Sequence, residues 1–211
     1  MNIEKLIADY KPSKESIDLI RKAKIAFLSG VSGVGKNTIT EELLKKPDYK
    51  FIVSHTTRPP RKNNGRMEKN GKDYYFTDKK TIERMIKQGE FFEVKFVHGN
   101  IYGTSLNEIQ KIYNENKIAI SDIDVQGVEE YKKISSNVQA IFILPSSETE
   151  WKRRLRSRGD FSDEDFKKRL QTAKFEIDFA KKHGFFNFVV NDDLQTAVKE
   201  VNQIIKSNIN N

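Results

Sequence analysis

Cysteine is absent from the 211-residue chain. That excludes disulfides and thiolate metal sites and fits a reducing compartment. No apolar run approaches the length needed to span a bilayer. The opening segment, MNIEKLIADYKPSKESIDLIRKAK, carries acids from Glu4 onward and has no continuous apolar stretch, so it does not read as a signal peptide. A cytoplasmic protein is the expectation. Internal repeats and low-complexity linkers are also missing. Acidic residues are outnumbered, 30 Asp and Glu against 38 Lys and Arg, for a formal net charge of +8. Such a surface favours anions: nucleotides, nucleic acid or an acidic membrane. The excess is spread rather than blocked, so compositional bias explains it equally well.

What is present is enough chain for one domain with small inserted lobes. Residues 13–23 read as a short helix with Ser13 as N-cap. KIAFLSG (24–30) is a buried strand ending in glycine, and NTITEELLKK (37–46) a helix. FIVS (51–54) is a second strand, and the Pro- and Gly-bearing stretch 55–72 reads largely as loop. DYYF and residues 89–104 alternate and carry aromatics, favouring antiparallel strands around a helix at 78–88. After a helix near 105–114 come three further strands, 117–124, 138–145 and 186–191, separated by charged helices. Alternating strand and helix indicates an α/β fold with a parallel sheet, interrupted by an antiparallel insert.

The chemistry begins in FLSGVSGVGKNTIT, residues 27–40. Gly30 and Gly35 stand at the spacing of a nucleotide-phosphate loop, with Lys36 next. Glycines 30, 33 and 35 let the backbone turn tightly and aim several N–H groups into one concavity, at the positive end of the following helix. Asn37 stands where the strict pattern asks for Ser or Thr, and Thr38 comes one step later. In SHTTRPPR (54–61), Arg58 and Arg61 could fork onto one phosphate. Alone, a solvated basic loop explains them better. Glu93 lies on an aromatic-rich strand, and Asp122 and Asp124 close a strand at the edge where α/β sheets bind ligands. Arg154 and Arg158 are four apart and so on one helical face, and Arg169 follows.

The order of these signals resembles a guanylate kinase from about Lys24 to the C-terminal helix, through SGVSGVGK, SHTTRPPR, NGKDYYF, GNIYGT, DIDVQG, RGD…KKRL and VNDDL. The resemblance implies a phosphate-loop parallel sheet flanked by helices, an inserted mixed or antiparallel GMP-binding lobe, and a helical lid. It divides the chain into an extension (1–23), core segments (24–53, 106–147 and 173–211), the GMP lobe (54–105) and the lid (148–172). It implies transfer of the ATP γ-phosphoryl group to GMP, and to dGMP, with Mg²⁺. Ser54, Glu93 and Thr104 would line the guanine pocket, and Arg58, Arg61, Tyr74 and Tyr102 would hold the GMP phosphate. Asp122 would sit at the junction of the nucleotides, with Asp124 near it. Gly30, Val31, Ser32, Gly33, Val34, Gly35, Lys36, Asn37 and Thr38 would cradle ATP, with Asn191 and Asp192 near the adenine. Lys36, Arg61, Arg154, Arg158 and Arg169 would carry the catalytic charge, and Thr38 and Asp124 would reach Mg²⁺ through water. The alternatives are an inactive interaction module of the same fold, a kinase for another small phosphate acceptor, and a basic RNA-binding domain. The expected partners are small nucleotides, neither nucleic acid nor membrane, and the oligomeric state is open between monomer and homodimer. Two features fall outside the resemblance: the N-terminal extension, and a loop at 62–67 that is about four residues longer than usual.

Overall fold

The computed structural model describes residues 3–63, 65–97, 99–157 and 162–209. It comprises two compact units, Met1–Ala23 with Phe51–Lys117, and Lys24–Lys50 with Ile118–Asn211. The first element, α1 (Ile3–Ala8), goes beyond the sequence expectation. Its signal is the spacing of Ile3, Leu6, Ile7 and Tyr10, one apolar stripe at helical period. Next, α2 (Lys14–Lys22) starts where expected, with the Ser13 hydroxyl accepting the Ser16 N–H at 3.2 Å. The strand β1 (Ile25–Gly30) is buried at every residue, and α3 (Lys36–Leu44) follows the glycine loop. β2 (Tyr49–Phe51) comes earlier than the strand expected over 51–54. Ile52 and Val53 are buried without extending it, and the Val53 N–H donates to the Glu108 carboxylate at 3.3 Å rather than to a strand neighbour.

The stretch read as loop holds three two-residue strands: β3 (His55–Thr56), β4 (Lys62–Asn63) and β5 (Arg66–Met67). β4 and β5 pair antiparallel as a hairpin, and the Glu68 N–H closes it on the Arg61 carbonyl at 3.1 Å. The lengthened loop is thereby tied off at its base. Then come β6 (Tyr75–Phe76), α4 (Lys79–Lys87), capped by Asp78, β7 (Phe91–Val97), β8 (Asn100–Ser105) and α5 (Leu106–Asn114). They form a sheet in the order β6-β3-β8-β7. β8 is antiparallel to both neighbours and β6 runs parallel to β3, so the sheet is mixed, within the expectation of a mixed or antiparallel lobe. The hairpin between them supplies the long connection that a parallel pair needs.

The remaining elements are β9 (Ile118–Asp122), α6 (Val125–Ile134), β10 (Gln139–Pro145), α7 (Glu148–Arg156), α8 (Asp163–Lys182), β11 (Phe186–Asn191) and α9 (Leu194–Ile209). The second sheet runs β11-β10-β1-β9-β2, and β1 is parallel to both β10 and β9. From β1 the chain leaves toward β2, and from β10 toward β11, so neighbouring strands send their connections opposite ways. The carboxyl ends at such a switch point form the ligand crevice of open α/β sheets. The glycine loop lies there. Among the described residues no helix is long and apolar enough to cross a membrane.

Candidate active site

The phosphate loop is built from backbone. Gly30, Gly33 and Gly35 have φ of 138°, 85° and 97°, which side chains with a Cβ rarely adopt. A methyl carbon on Gly30 would collide with the Ile143 carbonyl of β10, and one on Gly35 with the Asn191 amide. Gly35 is the N-cap of α3, so the helix's unpaired N–H groups open onto the loop. Val31 and Val34 are fully buried and anchor it from beneath. The Lys36 ammonium donates to the Gly30 and Val31 carbonyls, the latter at 3.2 Å, which holds it across the loop. Asn37 and Thr38 are exposed on the first turn of α3.

Side chains from three later elements of the same unit converge on the loop. Asn191, buried at the end of β11, donates from Nδ2 to the Val34 carbonyl at 2.8 Å. Its own carbonyl accepts from Arg154 at 3.1 Å, and Glu150 holds the same guanidinium at 2.7 Å. Trp151 Nε1 donates to the Ser32 carbonyl at 2.8 Å, and Arg169 of α8 reaches the Ser32 hydroxyl at 3.5 Å. Arg158 lies outside the described residues, and α7 ends at Arg156, short of it. Asp192 is exposed next to Asn191.

Two acids face Lys36. Burial pushes the Asp122 carboxyl at the end of β9 upward, and the Lys36 charge pulls the other way. Glu176 on α8 is also raised by burial, with Lys36 opposing and Asp124 reinforcing. Sequence reasoning missed Glu176. Its signal is the seven-residue interval from Arg169, two helical turns that put both on one face of α8. Asp124 caps α6, with Oδ1 accepting the Gly127 N–H at 2.7 Å, which commits one carboxylate oxygen.

The other unit has a site made of side chains. On one face of its sheet the Thr104 hydroxyl donates to Glu93 Oε1 at 2.9 Å, and Ser54 Oγ lies 3.5 Å from it. Two residues along β8 from Thr104, Tyr102 meets the Tyr74 ring edge-on and interacts with Arg58. Arg58 is buried, 9% exposed, and its guanidinium lies 5.2 Å from the Tyr74 ring centroid and 5.8 Å from that of Phe76. Both of its terminal nitrogens are gripped by Glu68, at 2.8 and 3.1 Å. Glu68 also accepts the Arg61 N–H at 3.0 Å, while the Arg61 guanidinium stays exposed. Burial alone would raise the Glu68 carboxyl, but these donors outweigh it and the net shift is downward. Glu68 is the second residue that the sequence reading missed. It follows directly on the hairpin and gives no sign in sequence of facing back to Arg58.

The guanylate kinase family model matches residues 22–208. The chain belongs to the guanylate kinase family. It is 41% identical over 208 residues to guanylate kinase 1 of Arabidopsis thaliana, a match covering 91% of this chain and 53% of that protein. It is 40% identical over 189 residues to the guanylate kinase of Schizosaccharomyces pombe, covering 88% and 92%. The crystal structure of guanylate kinase from Anaplasma phagocytophilum is similar with a TM-score of 0.66 at 29% identity, covering 89% of this chain and 86% of that one. The chain spans about half the length of the plant relatives it matches. The guanylate kinase match leaves out α1 and nearly all of α2, yet both helices pack into the unit that carries Glu93.

Proposed function

We propose that the chain transfers the γ-phosphoryl group of ATP to GMP, giving ADP and GDP. The observation that carries this reading is a continuous run of polar side chains along one face of β8. Ser54, Thr104 and Glu93 gather at one end, and Tyr102, Arg58 and Glu68 at the other. Thr104 and Tyr102 are two apart on a strand, so they share a face about 7 Å apart. Guanine offers N1–H and the exocyclic amine side by side, and a carboxylate such as Glu93 accepts both. Adenine puts a lone pair at N1, leaving the carboxylate unpaired, a mismatch worth on the order of 10⁴ in discrimination. Arg58 and Arg61, aided by Tyr74 and Tyr102, take the phosphate of GMP, or of dGMP.

ATP is read onto the glycine loop, with Lys36, Arg154, Arg158 and Arg169 as its cations, and with Asn191 and Asp192 toward the adenine. The Asn191 contact with Val34 supports a role in holding the loop as well. The acceptor oxygen of GMP is already ionised near neutral pH, so no side chain has to act as base. Catalysis reduces to alignment and to offsetting phosphate repulsion. The residues near the loop fit a hydrated Mg²⁺. They offer hard oxygens from Asp122, Asp124 and Thr38, and among the described residues no cluster of His, Asp or Glu forms a metal cage of its own. Mg²⁺ retains waters and binds through substrate phosphates, where it neutralises charge on the transferring group. Asn37 is thereby compatible with activity.

A coupled assay for ADP release with ATP and each of GMP, AMP, CMP and UMP tests the reading. Turnover with GMP far above the others is expected. No turnover at millimolar GMP would leave the chain an inactive module, and preference for another acceptor would move guanine recognition out of this site.

A further inference from the structure

Residues 3–21 lie outside the segment matched by the family model, but they are not detached from the site. Ile3, Leu6, Ile7 and Tyr10 pack against a buried cluster of Ile82, Met85, Ile86, Phe91, Val94 and Ile101. That cluster covers one face of the β6-β3-β8-β7 sheet. Glu93 stands on the other face, opposite Thr104. β7 is an edge strand, so α4 and the N-terminal helices are what hold it from outside the ladder.

The register of β7 contains an irregularity at a telling place. Phe91 faces Ser105 and Glu93 faces Thr104, so two steps on β7 match one on β8, and Phe92 is the extra residue of a bulge. From Glu93 onward the pairing is regular. Strict alternation would put Phe91 and Glu93 on the same face. The bulge instead turns Phe91 into the apolar cluster together with Val94 and leaves Glu93 on the polar face. Phe91 is fully buried over Gly103, where any Cβ would press on its ring. The Tyr10 hydroxyl donates to the carbonyl oxygen of this same Phe91. Burial raises the Tyr10 hydroxyl above its ordinary range, against the opposing pull of its bond to Phe91.

We propose that Tyr10 is a positioning residue for guanine selection: by pinning the Phe91 carbonyl it fixes the bulge that aims Glu93 at the base. The inference rests on the reading of Glu93 as the guanine-accepting carboxylate. It gives the N-terminal helices a role in substrate choice rather than in ATP binding, since every contact named here lies within the unit that holds Glu93.

The test compares Tyr10→Phe, Leu6→Ala and Glu93→Gln in the full chain, with steady-state constants for GMP, IMP and ATP and a thermal melt for each. IMP lacks the exocyclic amine, so the GMP to IMP ratio of kcat/KM reads how well the carboxylate is aimed. For Tyr10→Phe, KM for GMP is expected to rise roughly three- to ten-fold, the size of one lost buried hydrogen bond. The GMP to IMP ratio should fall with it, while KM for ATP stays put. Leu6→Ala weakens the packing but keeps the hydroxyl, so it should lower the melting temperature with a smaller change in the ratio. Tyr10→Phe with an unchanged KM for GMP and an unchanged ratio, whether or not the melt shifts, overturns the proposal. Glu93→Gln separates the two levels. If it leaves GMP selection intact, the guanine reading itself fails; if it abolishes selection while Tyr10→Phe does nothing, only the role of Tyr10 fails.

Discussion

In the proposed reading the phosphate loop and the β8 face both hold a phosphate near a recognised base, and they are built by opposite means. The loop is backbone geometry: three positive-φ glycines, a helix start and one lysine within seven consecutive residues. The β8 face is side-chain geometry, drawn from Ser54 to Thr104 and braced by residues behind it. Those braces are Glu68 behind the arginines and Tyr10 behind the bulge. A site of the first kind tolerates little change inside it and has its determinants in consecutive residues, with side chains such as Asn191 and Trp151 tying it from outside. A site of the second kind can be disabled from its supports.

That contrast is breakable in order of expected effect. Glu68→Ala should be the most damaging, because it leaves Arg58 buried without its partner, a loss of about 3–5 kcal/mol for a broken buried pair. Urea unfolding would read the stability. KM for GMP should rise at least about tenfold as Arg58 and Arg61 lose their common anchor. Gly30→Ala comes next, at roughly 2–4 kcal/mol for strain against the β10 carbonyl, with ATP turnover rather than GMP affinity collapsing. Asn191→Ala removes the tie to Val34 and should cost about 1–2 kcal/mol, seen as a several-fold higher KM for ATP. The smallest effect concerns the hairpin. Asp73, held by Arg66 and by the Lys69 N–H, has its carboxyl lowered from 3.8 to about 2. A lowered carboxyl stabilises the folded state above its unfolded value and loses that contribution as pH falls through the folded one. Stability should therefore fall as pH drops from 3.8 toward about 2, the Lys69 amide proton shift of the folded chain should titrate with its midpoint at about 2, and Asp73→Asn should abolish that titration.

The same contrast explains what could be read in advance. The glycine loop was legible because its determinants are consecutive and each glycine answers a backbone demand; β1 and β10 were legible as apolar runs buried on both faces, and β11 as an apolar run although Phe188 and Val190 are exposed. Ser13, a helix cap, could be placed from its immediate neighbours. Glu68, Glu176 and Tyr10 could not, since their partners are brought to them by a hairpin, a helix face and a bulge. β2 fell earlier than expected because buried Glu108 takes the Val53 N–H, a contact across 55 positions that no local pattern carries. The lengthened 62–67 loop pairs with itself, Lys62 with Met67, which returns the chain to Arg61 at its base, and Arg66 ties it to Asp73.

The ratio of kcat/KM for GMP over AMP, measured in the wild-type chain and in Glu93→Gln, bears most directly on the central claim. A strong wild-type preference for GMP is expected, falling by on the order of a hundredfold or more in the variant, with KM for ATP little changed. A ratio that survives the substitution would mean that the carboxylate beside Thr104 does not read the base.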